Sequence, residues 1–227
     1  FVSGVSGILA NNPLQVGSVE RRNLKTALIH SPFINRIRKS EYRSVGRVRI
    51  IWQGHYLNLQ RALLLEPLIS EVGRKTGVSV QFILDTNAPP RRVGVARVTR
   101  WQIGRWDARL AAADIAVAVK PANDTVQQHK PATKVISYMA AGLPVICEPS
   151  AADEAVIEEG VTGYLVYSMG EWADAFERLL GDPELRERMG RAAREYAKSH
   201  FSVARITEEH IEAINRFCSC GSIARAE

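Results

Sequence analysis

Across most of its length this chain alternates short β-branched apolar runs with longer segments whose apolar residues recur at helical spacing. The runs lie at 47–52, 78–84, 93–98, 114–119, 145–147 and 164–166. Several are almost unbroken Val, Ile and Ala, and Ile-Ala-Val-Ala-Val at 115–119 is the extreme case. A strand that is apolar on both faces has to be covered on both faces. Helices between successive strands supply that cover and also the crossover that parallel pairing requires. The pattern therefore predicts an α/β fold with a Rossmann-like, doubly wound parallel sheet. Ligands of such sheets bind outside the carboxyl ends of the strands. The loops expected there are 53–58, 85–90, 120–130 and 148–154.

Between the strands, one long helix is predicted over 57–74, with Leu59, Leu63, Leu64, Leu68, Ile69 and Val72 buried and a kink at Pro67. A shorter helix is predicted over 106–113. The C-terminal third reads as helix throughout. One helix covers 171–180. The next is capped by Asp182 with Pro183 in its first turn, and its core stripe is Leu185, Met189, Ala192, Ala193 and Tyr196. A last helix starts at Ser202 and runs to Phe217, with Ile206, His210, Ile211 and Ile214 on one apolar face, where His210 is expected to pack. Residues 1–46 do not fit the alternating pattern. Ile8 to Asn12 and Thr26 to His30 read as short strands, and the basic, polar stretch 36–47 as an interdomain linker.

Composition narrows the functional classes. A net charge of +6 suits an anionic ligand or an acidic membrane surface, but it is too small and too dispersed for nucleic acid. No apolar run is long enough to span a bilayer. Three cysteines do not make a disulfide framework. Cys147 sits in an apolar strand, and Cys218 with Cys220 lacks further ligands for a metal. A reducing, cytoplasmic setting follows. A start at Phe1 without a signal peptide is expected of a fragment or a processed product.

The stretch most charged with chemistry is 130–163, KPATKVISYMAAGLPVICEPSAADEAVIEEGVTG. Lys130 and Lys134 are expected at the start of a helix, four apart on one face, with His129 beside them. A helix N-terminus carries partial positive charge, and like charges at that spacing repel. Two readings are open: solvated lysines, or a site whose bound phosphate removes the penalty. The Ser137-Tyr138-Met139-Ala140-Ala141-Gly142-Leu143-Pro144-Val145-Ile146 run favours the second. It resembles the donor-sugar region of retaining, GT-B-fold glycosyltransferases (group 1, family 4-like), and most closely a subgroup with Lys-x3-Lys-x3-Tyr-Met-Ala-x-Gly. The resemblance extends over about 48–202.

That resemblance implies the C-terminal, donor-binding half of a GT-B enzyme. Residues 1–46 would be the remnant of an acceptor domain and its linker, 47–200 the nucleotide-sugar domain, and 201–227 a crossing helix and tail. The implied reaction moves a hexose from a nucleotide diphosphate sugar to an unknown acceptor, with retention and without a cofactor. Lys130 and Lys134 would be the catalytic cations, since no Asp-x-Asp is placed to hold a divalent metal. Donor contacts would come from Gly54, Asn58, Arg100, Trp101, Ser137, Ala151 and Glu154. For Trp101 the alternative is plain packing, and for Glu154 a favourable contact with the helix dipole. The resemblance also leaves open a peripheral membrane contact through an N-terminal domain. One departure stands out. Ser137 and His129 occupy positions where the family carries a pair of Glu residues, and the usual Arg and Lys after Gly54 are not cleanly reproduced. A non-enzymatic binding or assembly module is therefore the rival, and a sugar-nucleotide epimerase a third reading.

Overall fold

A computed structural model of the protein describes residues 8–20, 25–30, 46–102, 104–120 and 123–219. The expected linker 36–47 lies almost entirely outside the described residues, as does Cys220. In chain order the elements are β1 (Ile8–Ala10), α1 (Pro13–Glu20), β2 (Thr26–Leu28), β3 (Arg47–Gln53), α2 (Leu59–Leu63), α3 (Glu66–Thr76), β4 (Ser79–Thr86), β5 (Arg91–Val93), β6 (Ala96–Arg100), α4 (Trp106–Ala111), β7 (Ile115–Ala118), α5 (Thr125–Gln128), α6 (Thr133–Ala140), β8 (Val145–Cys147), α7 (Ala151–Glu154), β9 (Gly163–Leu165), α8 (Met169–Gly181), α9 (Pro183–Phe201) and α10 (Val203–Ser219).

Seven strands form one sheet in the order β5-β6-β4-β3-β7-β8-β9. Every pairing is parallel except β5 with β6. The chain leaves β3 toward β4 and β6, then returns to the other side of β3 as β7. The carboxyl ends of β3 and β7 thus flank the point where strand order reverses, where a doubly wound sheet opens a crevice. Successive residues of β3 point to opposite faces. Ile50 and Trp52 join a core with α3 and α8, whereas Ile51 joins a second core with α6 and α9. Ile115 to Ala118 are fully buried, as an apolar strand covered on both faces must be. β1 and β2 pair in parallel as a separate two-stranded sheet, joined by α1, a helix that the sequence did not disclose.

Three expectations need correcting. The helix predicted over 57–74 is a 3-10 turn (Tyr56–Asn58) followed by α2 and α3. Pro67 lies in the first turn of α3, where its missing N–H costs nothing, so it starts a helix and kinks none. The break also rotates the face, leaving Leu64 exposed and burying Leu65. The strand predicted over 93–98 is a tight β5–β6 hairpin turning at Gly94, whose φ of 54° suits glycine. On α10 the buried stripe is Ile206, Ala213 and Phe217, with Ile211 and Ile214 exposed.

Candidate functional site

The site begins where β3 ends. The backbone N–H of Gln53 donates to the hydroxyl of Tyr138 at 2.9 Å, so α6 holds the last residue of β3, where the loop begins. Tyr138 is fully buried, and burial pushes its phenol well above the usual range, keeping it neutral. A Cβ at Gly54 would meet the Trp52 ring at 2.4 Å; the fully buried Trp52 is why this turn requires glycine. Asp85, at the end of β4, is fully buried. Its carboxylate accepts from Gln53 Nε2 at 3.1 Å and Thr99 Oγ1 at 3.2 Å and pairs with Arg109. Arg109 also donates to the carbonyl of Arg100 at 2.9 Å. The network thereby fixes the chain at Arg100 and Trp101.

Lys134 lies in the first turn of α6. Ala132 precedes that helix and gives it no side-chain cap, so its leading N–H groups are left for another acceptor. The Lys134 ammonium sits 5.4 Å from the centroid of the Trp52 ring, within cation–π range. Its pKa is pulled down from 10.5 to about 8, first by burial and next by the charge of Lys120. Asp153 and Cys147 oppose that shift, and Lys130 adds the last of the named effects. Lys130 is exposed and precedes α6 by three residues. It therefore does not share a helical face with Lys134, contrary to the expectation, because Pro131 and Ala132 make the approach to the helix non-helical.

A cleft of about 640 Å³ opens along this edge. Of the residues expected in the site, Gly54, Trp101, Lys134 and Ser137 line it. Gln53, His55, Asn87, Trp106 and Thr133 line it as well, and the sequence did not single them out for this. Ser137 donates its hydroxyl hydrogen to the Thr133 carbonyl at 2.7 Å, so toward the cleft it offers lone pairs only. Among the described residues no carboxylate lines the cleft. His129 is exposed, with its ring nitrogen 2.8 Å from the Thr125 carbonyl. Asn58 closes the 3-10 turn before α2, outside the cleft lining.

Behind Lys134 lies a second cation that the sequence reading missed. Lys120, two residues beyond the end of β7, is buried and pairs with Asp153 Oδ2 at 2.7 Å. Ser150 donates to the same oxygen through its N–H at 2.9 Å and its hydroxyl at 2.7 Å. The other carboxylate oxygen of Asp153 is buried without a hydrogen-bond partner. Thus Asp153, not Glu154, faces the strand ends. Glu154 is exposed and accepts from the Tyr167 hydroxyl at 3.0 Å, and Ala151 is half-buried at the start of α7. Ser150-x-x-Asp153 is a capping-box signature, a local signal that the sequence reading passed over in favour of Glu154. Arg61 pairs with Asp124 at 2.7 Å, which ties α2 to the loop after β7. Among the described residues no three His, Cys, Asp or Glu side chains gather to hold a metal ion, and no helix is long and apolar enough to cross a membrane.

Residues 66–212 match the family described as "Glycosyl transferase-like". The chain belongs to this glycosyltransferase group 1 family. Two curated relatives of the glycosyltransferase domain illustrate its range. Spore coat protein SA of Bacillus subtilis (strain 168) is 36% identical over 86 residues, which is 36% of this chain and 23% of that protein. The D-inositol 3-phosphate glycosyltransferase of Corynebacterium aurimucosum is 34% identical over 129 residues, 52% of this chain and 28% of that protein. The matches thus span about a quarter of each relative's length. In structure, TarM gives a TM-score of 0.71 at 15% identity, covering 93% of this chain and 44% of that one. Anabaena HepE in complex with UDP and glucose gives 0.65 at 14% identity, covering 93% and 63%. The glycosyltransferase domain has the architecture of about half of a GT-B fold.

Proposed function

We propose that this domain binds the nucleotide diphosphate sugar of a hexosyl transfer, with the diphosphate at Lys134. The observation that carries the reading is the coincidence of three features in one cleft: a desolvated lysine, an uncapped helix start and the carboxyl edge of the sheet at its order reversal. A lysine suits that role as a compact charge. In transfer, Lys134, with Lys130 on the loop ahead of the helix, would neutralise charge developing on the leaving diphosphate. Trp101 and Trp106 offer the cleft its aromatic wall, where a base or a sugar face can stack. Gly54 lets backbone approach the phosphates, and Ser137 stands where the ribose is expected.

In this reading residues 47–200 are the donor domain, 201–227 the crossing helix and tail, and 1–46 the end of an acceptor-side domain. The reading draws on GT-B neighbours of which this chain covers 44–63%. In this reading the acceptor groove, and with it retention, belong to the part of a GT-B enzyme that this chain does not cover. Family membership supports an active transferase. The want of a carboxylate among the described lining residues favours a second reading, a domain that binds the donor without turning it over.

Calorimetry on the 227-residue chain tests the donor site. UDP should bind more tightly than UMP, because the second phosphate meets Lys134; equal affinities would move Lys134 out of the site. Transfer from a radiolabelled nucleotide sugar by a longer chain that includes the acceptor domain separates the two readings. Binding without transfer would establish the non-catalytic one.

A further inference from the structure

The loop that carries Lys130 is held from the other end of the chain. Asn12 is fully buried, and its side-chain amide is used on both sides. Its Oδ1 accepts from the N–H of Leu14 at 2.8 Å, where α1 begins. Its Nδ2 donates to the carbonyls of Gln128 at 3.1 Å and Lys130 at 3.0 Å. One turn on, Gln15 reaches the His129 carbonyl at 3.4 Å. Three consecutive carbonyls, at and just after the end of α5, thus take donors from Asn12 and Gln15 at the start of α1, where a four-residue helix leaves its last carbonyls without internal partners.

The web continues into the strand ends. Gln128 Nε2 donates to the carbonyls of Lys120 at 3.2 Å and Pro149 at 3.3 Å. These residues follow β7 and precede the Ser150–Asp153 cap, so Asn12 stands one residue removed from the backbone around the buried Lys120–Asp153 pair. Of the side chains linking α1 to this loop, Asn12 is the fully buried one, and hydrogen bonds hold their geometry best where water cannot compete.

We infer that Asn12 is a positioning residue for the donor site: through Gln128 and Lys130 it seats the phosphate-side loop, so that the β1–α1 unit and the cleft respond together. The effect on affinity rests on the donor-site reading above, whereas the seating of the loop does not.

The test uses Asn12→Asp. The carboxylate keeps an acceptor for the Leu14 N–H, and a negative charge there suits the start of α1. The two donors are replaced by an oxygen facing two carbonyls. Asn12→Ser, which keeps a cap without that repulsion, serves as the second variant. Hydrogen exchange reads the loop without any ligand. The N–H groups of Gln128, His129 and Lys130 should exchange about tenfold faster in both variants, while Ile136 in α6 and Ala141 at its C-terminal end stay unchanged. Calorimetry with UDP should show affinity down about five- to tenfold in each variant, about 1–1.4 kcal/mol. Lys130→Gln should weaken UDP in the natural chain and add little in the Asn12→Asp background, the non-additivity that marks a shared role. Unchanged exchange in the loop overturns the inference. Faster exchange with unchanged UDP affinity, or fully additive effects with Lys130→Gln, leaves Asn12 a cap and overturns its positioning role. Failure of UDP to bind the natural chain would defeat the donor-site reading instead, and the exchange comparison would still decide whether Asn12 seats the loop.

Discussion

Lys134→Met separates what the lysine costs the fold from what it gives the ligand. In the empty protein the amine's pKa falls from 10.5 to about 8, chiefly through burial. That displacement corresponds to about 3 kcal/mol of unfavourable charge burial while the amine stays protonated. The direction follows from proton counts. Below pH 8 both folded and unfolded states hold the proton and the penalty is complete. Between about 8 and 10.5 the unfolded state binds more protons, so stability rises with pH and the penalty fades. Methionine removes the charge and retains much of the stem. The contact with the Trp52 ring is lost, worth about 0.5–2 kcal/mol. At pH 7 the variant should therefore be about 1–2 kcal/mol more stable by urea unfolding, with the gain shrinking as pH is raised to 10. UDP affinity should move the other way, falling by about 1.5–3 kcal/mol, the scale of a hydrogen bond to a charged group. Natural-chain affinity should also decline above pH 8, because binding then requires proton uptake, and calorimetry in buffers of different ionisation enthalpy would register that proton. The variant should show neither effect. A less stable variant with unchanged UDP affinity would refute the reasoning and make Lys134 a structural residue.

Two further substitutions probe the supports of the cleft. Tyr138→Phe strips the acceptor from the Gln53 N–H and leaves a backbone donor unsatisfied; a loss of about 1–3 kcal/mol is expected by denaturant titration, together with weaker UDP binding, and an unchanged midpoint would show that water replaces the hydroxyl. Asp153→Asn leaves the buried Lys120 without its counter-charge and should cost about 3–5 kcal/mol, whereas Lys120→Met combined with Asp153→Asn should recover most of it; equal losses in the single and double variants would mean that the pair does not act as a unit.

How much of this was legible in the sequence differs from residue to residue. The parallel sheet was readable because Ile115 to Ala118 has no polar face, and a strand like that has no other place than the middle of a covered sheet. The end of α6 was readable too. Gly142 takes a φ of 81°, and the N–H groups of Leu143 and Gly142 return to the carbonyls of Tyr138 and Met139, a C-terminal cap that Ala-Ala-Gly announces locally. Caps at Asp182 and Ser202 were equally local; the Ser168 cap is as local but was not read, so the helix predicted over 171–180 in fact begins at Met169. Each depends on residues within one turn, and adjacency in sequence then equals adjacency in space.

The site itself was decided elsewhere. Lys130 and Lys134 were paired by their spacing, but Pro131 and Ala132 hold Lys130 off the helix, and the charge that presses hardest on Lys134 is Lys120, fourteen residues back. Lys120 meets Asp153 across the ends of two strands, and Asn12 meets Lys130 across 118 positions. A chain written in one dimension carries periodicity, caps and turns, because these are set by neighbours. Which loops converge at the edge of the sheet, and which buried charges face one another there, is set by strand order and register, and only the folded chain holds those.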